Sequence, residues 1–455
     1  MTGAARAAVP GWLLVASVYF LAVFNRSTLG VAGLQAEHRF GIGPGALSVF
    51  VMLQIGVYAA MQVPTGVLVD RYGPRRLLIT AAAVMAVAQA GFALAPSFPL
   101  ALLCRALLGC GDALTFVSVL RYTATHFSAR RYPLLVALTA ALGTVGNILA
   151  TAPLSALLHG LGWRPSFLIA SVASAGVGLA VASLVRDATL RPRAVRGVAL
   201  RAGVVRTAGR VRDAWSISGT RLGFWLHFAC MSTATPFSVL WGHPYLVDGV
   251  GFSTSGASRV LMTGIIVLGI ATPTVGFVTG RWPVARIPLS LGVCALTIVG
   301  LLVLSLGLGD RPPRGAVIAI FIIALLGSPA SMTAFSVARD YNPYRTLGTA
   351  SGVVNVGGFV ATVIGSVLFG AVLDLVSGSD RTAMRDALLC LVSVQLFGTS
   401  RLVVWYLRVR AEVAERQRAG HPVPVPVGKR HWFDLRELEG PAVERIELSD
   451  SVNSP

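Results

Sequence analysis

The chain has 455 residues, of which 55% are hydrophobic and 13% charged, with a mean hydropathy of +0.72. A soluble chain of this length would expose too much apolar surface to stay dispersed, so the composition places it in a bilayer. Net charge is +19, yet the basic residues are spread over short connectors and the tail, without the aromatic interleaving of a nucleic-acid groove, so no nucleic-acid partner is expected.

Crossing a hydrocarbon core of about 30 Å takes roughly 20 apolar residues in a helix. Twelve such runs follow in order. The first six are 11–34, 45–69, 77–95, 98–120, 132–156 and 165–185. The second six are 222–246, 257–279, 287–308, 315–338, 346–375 and 385–407. The first run is too long for a cleaved signal and is expected to stay in the protein. The fold class is therefore an all-α integral membrane protein of twelve helices in two six-helix bundles, residues 11–185 and 222–408. A short N-terminal segment, 1–10, a basic linker, 186–221, and a tail, 409–455, complete the division; the tail is expected to be a helical extension followed by disorder.

Most of the basic residues fall between spans that would share one face of the membrane. The other face holds Arg39, Arg164, Arg259, Arg311, Arg314, Arg381 and Arg385. By the positive-inside rule both termini are cytoplasmic, at the cell membrane. The Arg-rich linker suits anionic lipid headgroups. The five cysteines lie inside apolar runs with no His cluster near them and read as packing residues, and no P-loop is present, so neither a metal nor another cofactor is expected. A membrane enzyme would need a catalytic polar cluster, and the spans contain none.

Between the second and third runs stands GVLVDRYGPRR, Gly66 to Arg76, a tight basic turn. A degenerate copy, GFVTGRWPVAR, starts at Gly276, between the second and third runs of the other half. Gly143-Thr144 with Asn147, and Gly348-Thr349 with Asn355, form a second echo. Duplicated six-span halves are a transporter architecture with the substrate at the midplane between them.

GVLVDRYGPRR resembles the signature loop of the major facilitator superfamily. Arg105 followed by Gly109 and Gly111, and GWRPSF from Gly162, are similar to further marks of that family. The resemblance implies alternating access by rocking of the halves, with a latch in which Gly66 lets helices approach and Asp70 accepts hydrogen bonds from the start of the eleventh span, near Thr346 to Gly348. Arg71 is expected to join Asp70 there. Gly73, Arg75, Arg76 and Arg281 belong to the same two loops, with Arg75 and Arg76 expected to set topology and meet headgroups. Gly280 stands where a second Asp70 would be, so the second latch is expected to be weaker.

Charges inside spans cost several kcal/mol unless they meet water, a partner or a ligand. Arg26 and Arg105 lie at similar depth, and Asp112, two turns beyond Arg105, lies about 10 Å further in. Two guanidiniums make an anion clamp, and Asp112 is the candidate proton carrier. A fixed salt bridge for Asp112, and a bonding role for Arg105 against helix carbonyls, are the alternatives. These positions are similar to the organic anion:cation symporter branch, whose first span carries Asp-Arg where this chain has Asn25-Arg26; nitrate and oxalate/formate porters are similar too. Asn147, Asn355, Tyr58 and Trp241, with Gln54 and Thr235, are expected to line the cavity, while His227, near the linker, reads as interfacial. The expected function is secondary transport of a small organic anion coupled to H⁺, by a monomer. The alternatives are a proton-driven efflux antiporter, against which the fifth span GTVGNILATAPL sets Pro153 far from its glycines, and a transporter-like sensor or scaffold.

Overall fold

The computed structural model describes residues 3–185, 200–308, 312–376 and 380–425. The first part of the predicted linker, 186–199, and the tail beyond residue 425 lie outside the described residues. Within them the chain is helical, as lipid requires, because a helix satisfies its own backbone.

Eleven helices among the described residues are long and apolar enough to cross a membrane. The remaining predicted span, the seventh, is the helix Ser218–Pro236 continued by π-helical turns at Phe237–Trp241 and Tyr245–Gly249. Its second half is therefore irregular, which sequence periodicity did not indicate. The last helix runs from Asp380 to Arg418, past the predicted end of the span, and Ser218 Oγ donates to Glu412 Oε1 at 2.7 Å, fixing the extension to the start of the seventh span.

Other spans are interrupted too, the fifth among them, between Tyr132–Leu149 and Ala152–Leu161. The first helix, Gly3–Ser27, gives way at Thr28 to Leu29–Phe40, and Thr28 Oγ1 donates to Asn25 O at 2.9 Å. The fourth breaks between Phe98–Ala113 and Phe116–His126, where Thr115 donates through both N and Oγ1 to Asp112 O. The tenth is divided into Arg314–Leu325, Gly327–Ser331 and Thr333–Tyr341. Local side-chain bonds of this kind replace helix bonds that a break removes.

The two halves meet along two seams. In one, the second span, Pro44–Tyr72, runs against the eleventh, Leu347–Leu375. Tyr58, Gln62, Gly66 and Asp70 recur every fourth residue, so they form one ridge. Tyr58 faces Phe359, Gln62 faces Asn355 and Gly352, and Gly66 and Asp70 both face Gly348. In the other seam the fifth span, Tyr132–Leu149, meets the eighth, Thr254–Arg281. A Cβ at Gly276 would lie 2.9 Å from both Leu134 Cα and Pro133 O, and one at Gly280 would lie 2.3 Å from Arg130 O. Backbone touches backbone at the signature-loop end of both seams. Beyond Tyr58 and Phe359, both spans expose large apolar side chains, among them Met52, Ile55, Val363 and Val367.

Gly276→Leu is expected to cost about 1–3 kcal/mol, as overpacking does, and to lower the thermal midpoint of the purified protein. At Gly269, where a Cβ would meet nothing within 4 Å, the same substitution is expected to change stability by less than about 1 kcal/mol. Equal losses at both positions would mean that the seam is not close-packed.

Candidate functional site

At the inner end of the fourth span's first helix, Asp112 is completely buried, and Arg26 of the first span closes on it from the side. Arg26 Nε lies 2.7 Å from Asp112 Oδ2 and Nη2 lies 2.8 Å from Oδ1, a two-pronged pair that uses both carboxylate oxygens. The Arg26 side chain keeps 26% of its surface exposed. Its guanidinium stacks on the Tyr58 ring at 4.3 Å from the centroid. The pair is thus sealed on the acid side and open on the cation side.

Arg105 has a different role from the predicted clamp. Only 1% exposed, it points at the break in the first span, where Nη1 donates to Thr28 Oγ1 at 3.2 Å and Asn25 O at 3.4 Å, and Nη2 to Arg26 O at 3.3 Å. The carbonyls that the break leaves without helix partners attract the second arginine, so the two guanidiniums do not face one ligand together. The two arginines are nonetheless close together, since one bonds the other's backbone.

Asn25, where the anion:cation symporter pattern has an acid, faces away from Arg26. It is fully buried, donating Nδ2 to Ser174 Oγ at 3.1 Å and accepting from Gln89 Nε2 at 2.9 Å. A neutral amide satisfies both a donor and an acceptor there, which a carboxylate does not.

The signature loop brings Asp70 to the eleventh span. Its carboxylate accepts from Gly348 N at 2.8 Å, Thr349 N at 2.7 Å and Thr349 Oγ1 at 2.8 Å. These are the free N–H groups and positive end of that helix. A Cβ at Gly66 would lie 2.5 Å from Gly348 O, which glycine avoids, and Gly73 turns the chain at φ +83, in the left-handed region that glycine favours. Arg71 stacks on Tyr72, Arg75 donates to Ala182 O at the end of the sixth span, and Arg76 is exposed. Arg75 is therefore bound to protein where headgroup contact was expected. Arg281 is half-buried beside Gly280, and no carboxylate stands at the corresponding place in the second half.

The remaining predicted residues divide. Asn355 is buried in the seam and donates to Gln62 Oε1 at 2.6 Å, with Tyr58 and His227 as further neighbours. Asn147 is exposed, so the two asparagines do not share one environment. Trp241 stacks on Phe369 and donates Nε1 to Ser366 O at 3.1 Å, bracing the irregular half of the seventh span. Gln54 is buried, and Thr235 donates to Met231 Sδ at 3.6 Å. His227, expected at the interface, is 3% exposed and packs on Phe335 of the tenth span. Cys230 and Cys294, read as separate packing residues, lie with their sulfurs 3.8 Å apart in the core.

The family model of the Major Facilitator Superfamily matches residues 15–366, most of the chain. The chain belongs to the major facilitator superfamily. It is a multi-pass membrane transporter, not an enzyme. The probable sulfoacetate transporter SauU of Cupriavidus necator is 22% identical over 395 residues, 80% of this chain and 86% of that protein. The probable galactarate/D-glucarate transporter GudP of Bacillus subtilis is 21% identical, again over 80% of this chain and 86% of that protein. The multidrug efflux pump LfrA of Mycolicibacterium smegmatis is 41% identical, but over 117 residues, 25% of this chain and 23% of that one. Among solved structures, the superfamily transporter FucP in its outward conformation matches with TM-score 0.65 at 16% identity, over 87% of this chain and 99% of that one.

Four residues escaped sequence reading. Gln62 is the missing member of the 58, 62, 66, 70 ridge and was visible in its spacing. Tyr19 lies two turns before Arg26, near Arg26 and Asp112, and the same spacing argument would have found it. Arg121, past the predicted end of the fourth span, stacks on Tyr344 of the other half at 3.6 Å, donates to its carbonyl and lies 3.7 Å from Asp70. Arg339, at the end of the tenth span, donates to Phe127 O at 3.3 Å and stacks on Tyr132. Each half thus sends an arginine across to the other.

Arg105→Leu is expected to lower stability by about 2 kcal/mol or more, because hydrogen bonds to a charged group are lost and buried carbonyls are left alone. Binding of any ligand that the protein retains should change less than it does in Arg26→Ala. Thermal unfolding with and without ligand separates the two effects, and an Arg105→Leu protein of parental stability would contradict the bonding role.

Proposed function

We propose that this protein is a secondary active transporter of a small organic anion, coupled to protons and working by alternating access. The observation that carries the reading is the Arg26–Asp112 pair, with its acid sealed and its cation partly open. A carboxylate or sulfonate arriving at Arg26 competes with Asp112 for the same two-pronged fork. Once displaced, Asp112 is a charge without a partner in a site closed to water, and proton uptake removes that charge. Substrate and proton then bind together, which is what symport requires. Tyr58 and Tyr19 frame the fork and limit the size of its ligand.

The naming of SauU and GudP as probable transporters of organic anions supports this reading. The distribution of basic residues supports a cytoplasmic position for the signature loop and both termini, with the linker against anionic lipid. Asp70, Gly66 and the start of the eleventh span then act as a latch on the cytoplasmic side, with Arg121 as the cation beside Asp70. Efflux of lipophilic compounds is the second reading, favoured by the local match to LfrA.

The test is a thermal-stability screen of the detergent-purified protein against anionic metabolites and lipophilic cations. A ligand at 100 times its Kd adds about 2.7 kcal/mol of stability. Carboxylates or sulfonates are expected to stand out, and Arg26→Ala is expected to abolish their effect. Stabilisation by lipophilic cations alone would turn the assignment to efflux. In proteoliposomes, Asp112→Asn is expected to exchange substrate but not to accumulate it under an imposed pH gradient. Accumulation by Asp112→Asn at the parental level would remove Asp112 from proton coupling.

A further inference from the structure

Between the Arg26–Tyr58 stack and the signature loop, a layer of neutral polar side chains crosses the seam of the second and eleventh spans. Its members are Gln62, Asn355 and His227, all buried. Gln62 Nε2 donates to Tyr58 O at 3.0 Å, one turn back on its own helix. A carbonyl accepts and never donates, so the amide orientation of Gln62 is fixed with Oε1 toward the other half. Asn355 meets that oxygen with Nδ2 at 2.6 Å, which fixes the second amide in turn.

Behind Asn355 stands His227 of the seventh span. Its Nδ1 lies 3.3 Å from Ser331 O, a carbonyl at the break in the tenth span, so Nδ1 carries the proton and donates. The opposite ring edge lies on the eleventh span at Gly358, where a Cβ would come within 2.4 Å of Nε2. Gly358 is one turn from Asn355, and the His227 ring and the Asn355 amide are neighbours. Phe335 closes the ring's remaining face, with centroids 5.1 Å apart.

We infer that Gln62, Asn355 and His227 form a second latch, a floor between the Arg26–Asp112 site and the signature loop, with His227 as its positioning residue. His227 is anchored to the broken tenth span, holds the Asn355 amide in place, and so presents Nδ2 to the one acceptor that Gln62 offers across the seam. Opening at the signature-loop end has to break this bond as well as those of Asp70. Two neutral amides separate without leaving a charge unpaired, so this latch opens at lower cost than the carboxylate one and sits closer to the substrate. A ligand at Arg26 reaches it through Tyr58, which stacks on Arg26, packs on Phe359 and adjoins Asn355.

The inference rests on the alternating-access reading above, and one experiment separates the two. Spin labels at Arg76 and Arg410, on opposite halves at the signature-loop end, report the opening as a distance, in a background with Cys110 and Cys390 replaced. In His227→Ala a second, longer distance is expected to appear without substrate. His227→Asn, whose amide reaches the position of Nδ1 and donates to Ser331 O, is expected to restore the single short distance. Gln62→Leu, which leaves His227 intact, is expected to open the same end, and the His227→Ala, Asn355→Ala double variant to open it no further than Asn355→Ala alone. If Asp70→Asn lengthens the distance and neither His227→Ala nor Gln62→Leu does, the floor latch is wrong and the alternating-access reading stands. If Asp70→Asn also leaves the distance unchanged, that reading fails and takes the inference with it. Additive opening by His227→Ala and Asn355→Ala would show that His227 does not act through Asn355.

Discussion

An ionised carboxylate surrounded by hydrocarbon and helices must find donors inside the protein, and Asp70 and Asp112 meet that need in different ways. Asp70 takes its donors from the backbone at the start of the eleventh span, so its charge is compensated by the other half of the molecule. Asp112 takes its donors from Arg26, within its own half. The location of the partner decides the consequence. Separating the halves would strip Asp70 of its donors and leave Asp112 untouched, whereas a second anion at Arg26, as proposed, would compete with Asp112 and leave Asp70 untouched. A transporter needs both kinds of event, one that follows the movement of the halves and one that follows the ligand.

The seam that links the two events changes character along its length. At the loop end it is a carboxylate on a helix terminus, with glycine carbonyls packed against glycine; one turn further it is backbone on backbone at Gln62 and Gly352; then come two amides, and finally two aromatic rings. Individually these contacts are modest, since interhelical hydrogen bonds in membranes average well below 2 kcal/mol. Their regular four-residue spacing makes them one ridge, which a rigid tilt of the halves, as proposed, would loosen in sequence. Close approach at the glycines is what allows the polar groups to meet at all.

Much of this was legible in the sequence because it depends on local pattern. Apolar runs located the spans, and the loop motif pointed Asp70 to the start of the eleventh helix, at Thr346 to Gly348, where the structure has Gly348 and Thr349. Asp112 was conspicuous as an acid deep in a span. The reading went astray where a helix break, unseen in periodicity, redistributes backbone acceptors. Arg26 and Arg105 are the same residue type at the same depth, but the break at Thr28 leaves carbonyls that only Arg105 can reach. His227 is a similar case, since its partner is a carbonyl at the break in the tenth span. Asn25 and Arg26, adjacent in sequence, point to opposite sides of one helix, so a motif read as a pair becomes two unrelated sites.

The copy of the signature loop shows what changes when the acid is removed. With Gly280 in place of a carboxylate, the eighth span can bring its backbone against the Arg130 carbonyl, a contact that any side chain would prevent. The two seams are therefore held by different forces. One depends on a buried charge and the dipole of a helix end, and the other on close packing between backbones, with Arg339 bridging to Phe127 and Tyr132 nearby. A buried ionic contact resists separation steeply over a short distance, while packed surfaces slide with little change in energy until they part. If the halves rock, the fifth and eighth spans are suited to act as the pivot that keeps contact, and the second and eleventh as the side that opens and closes.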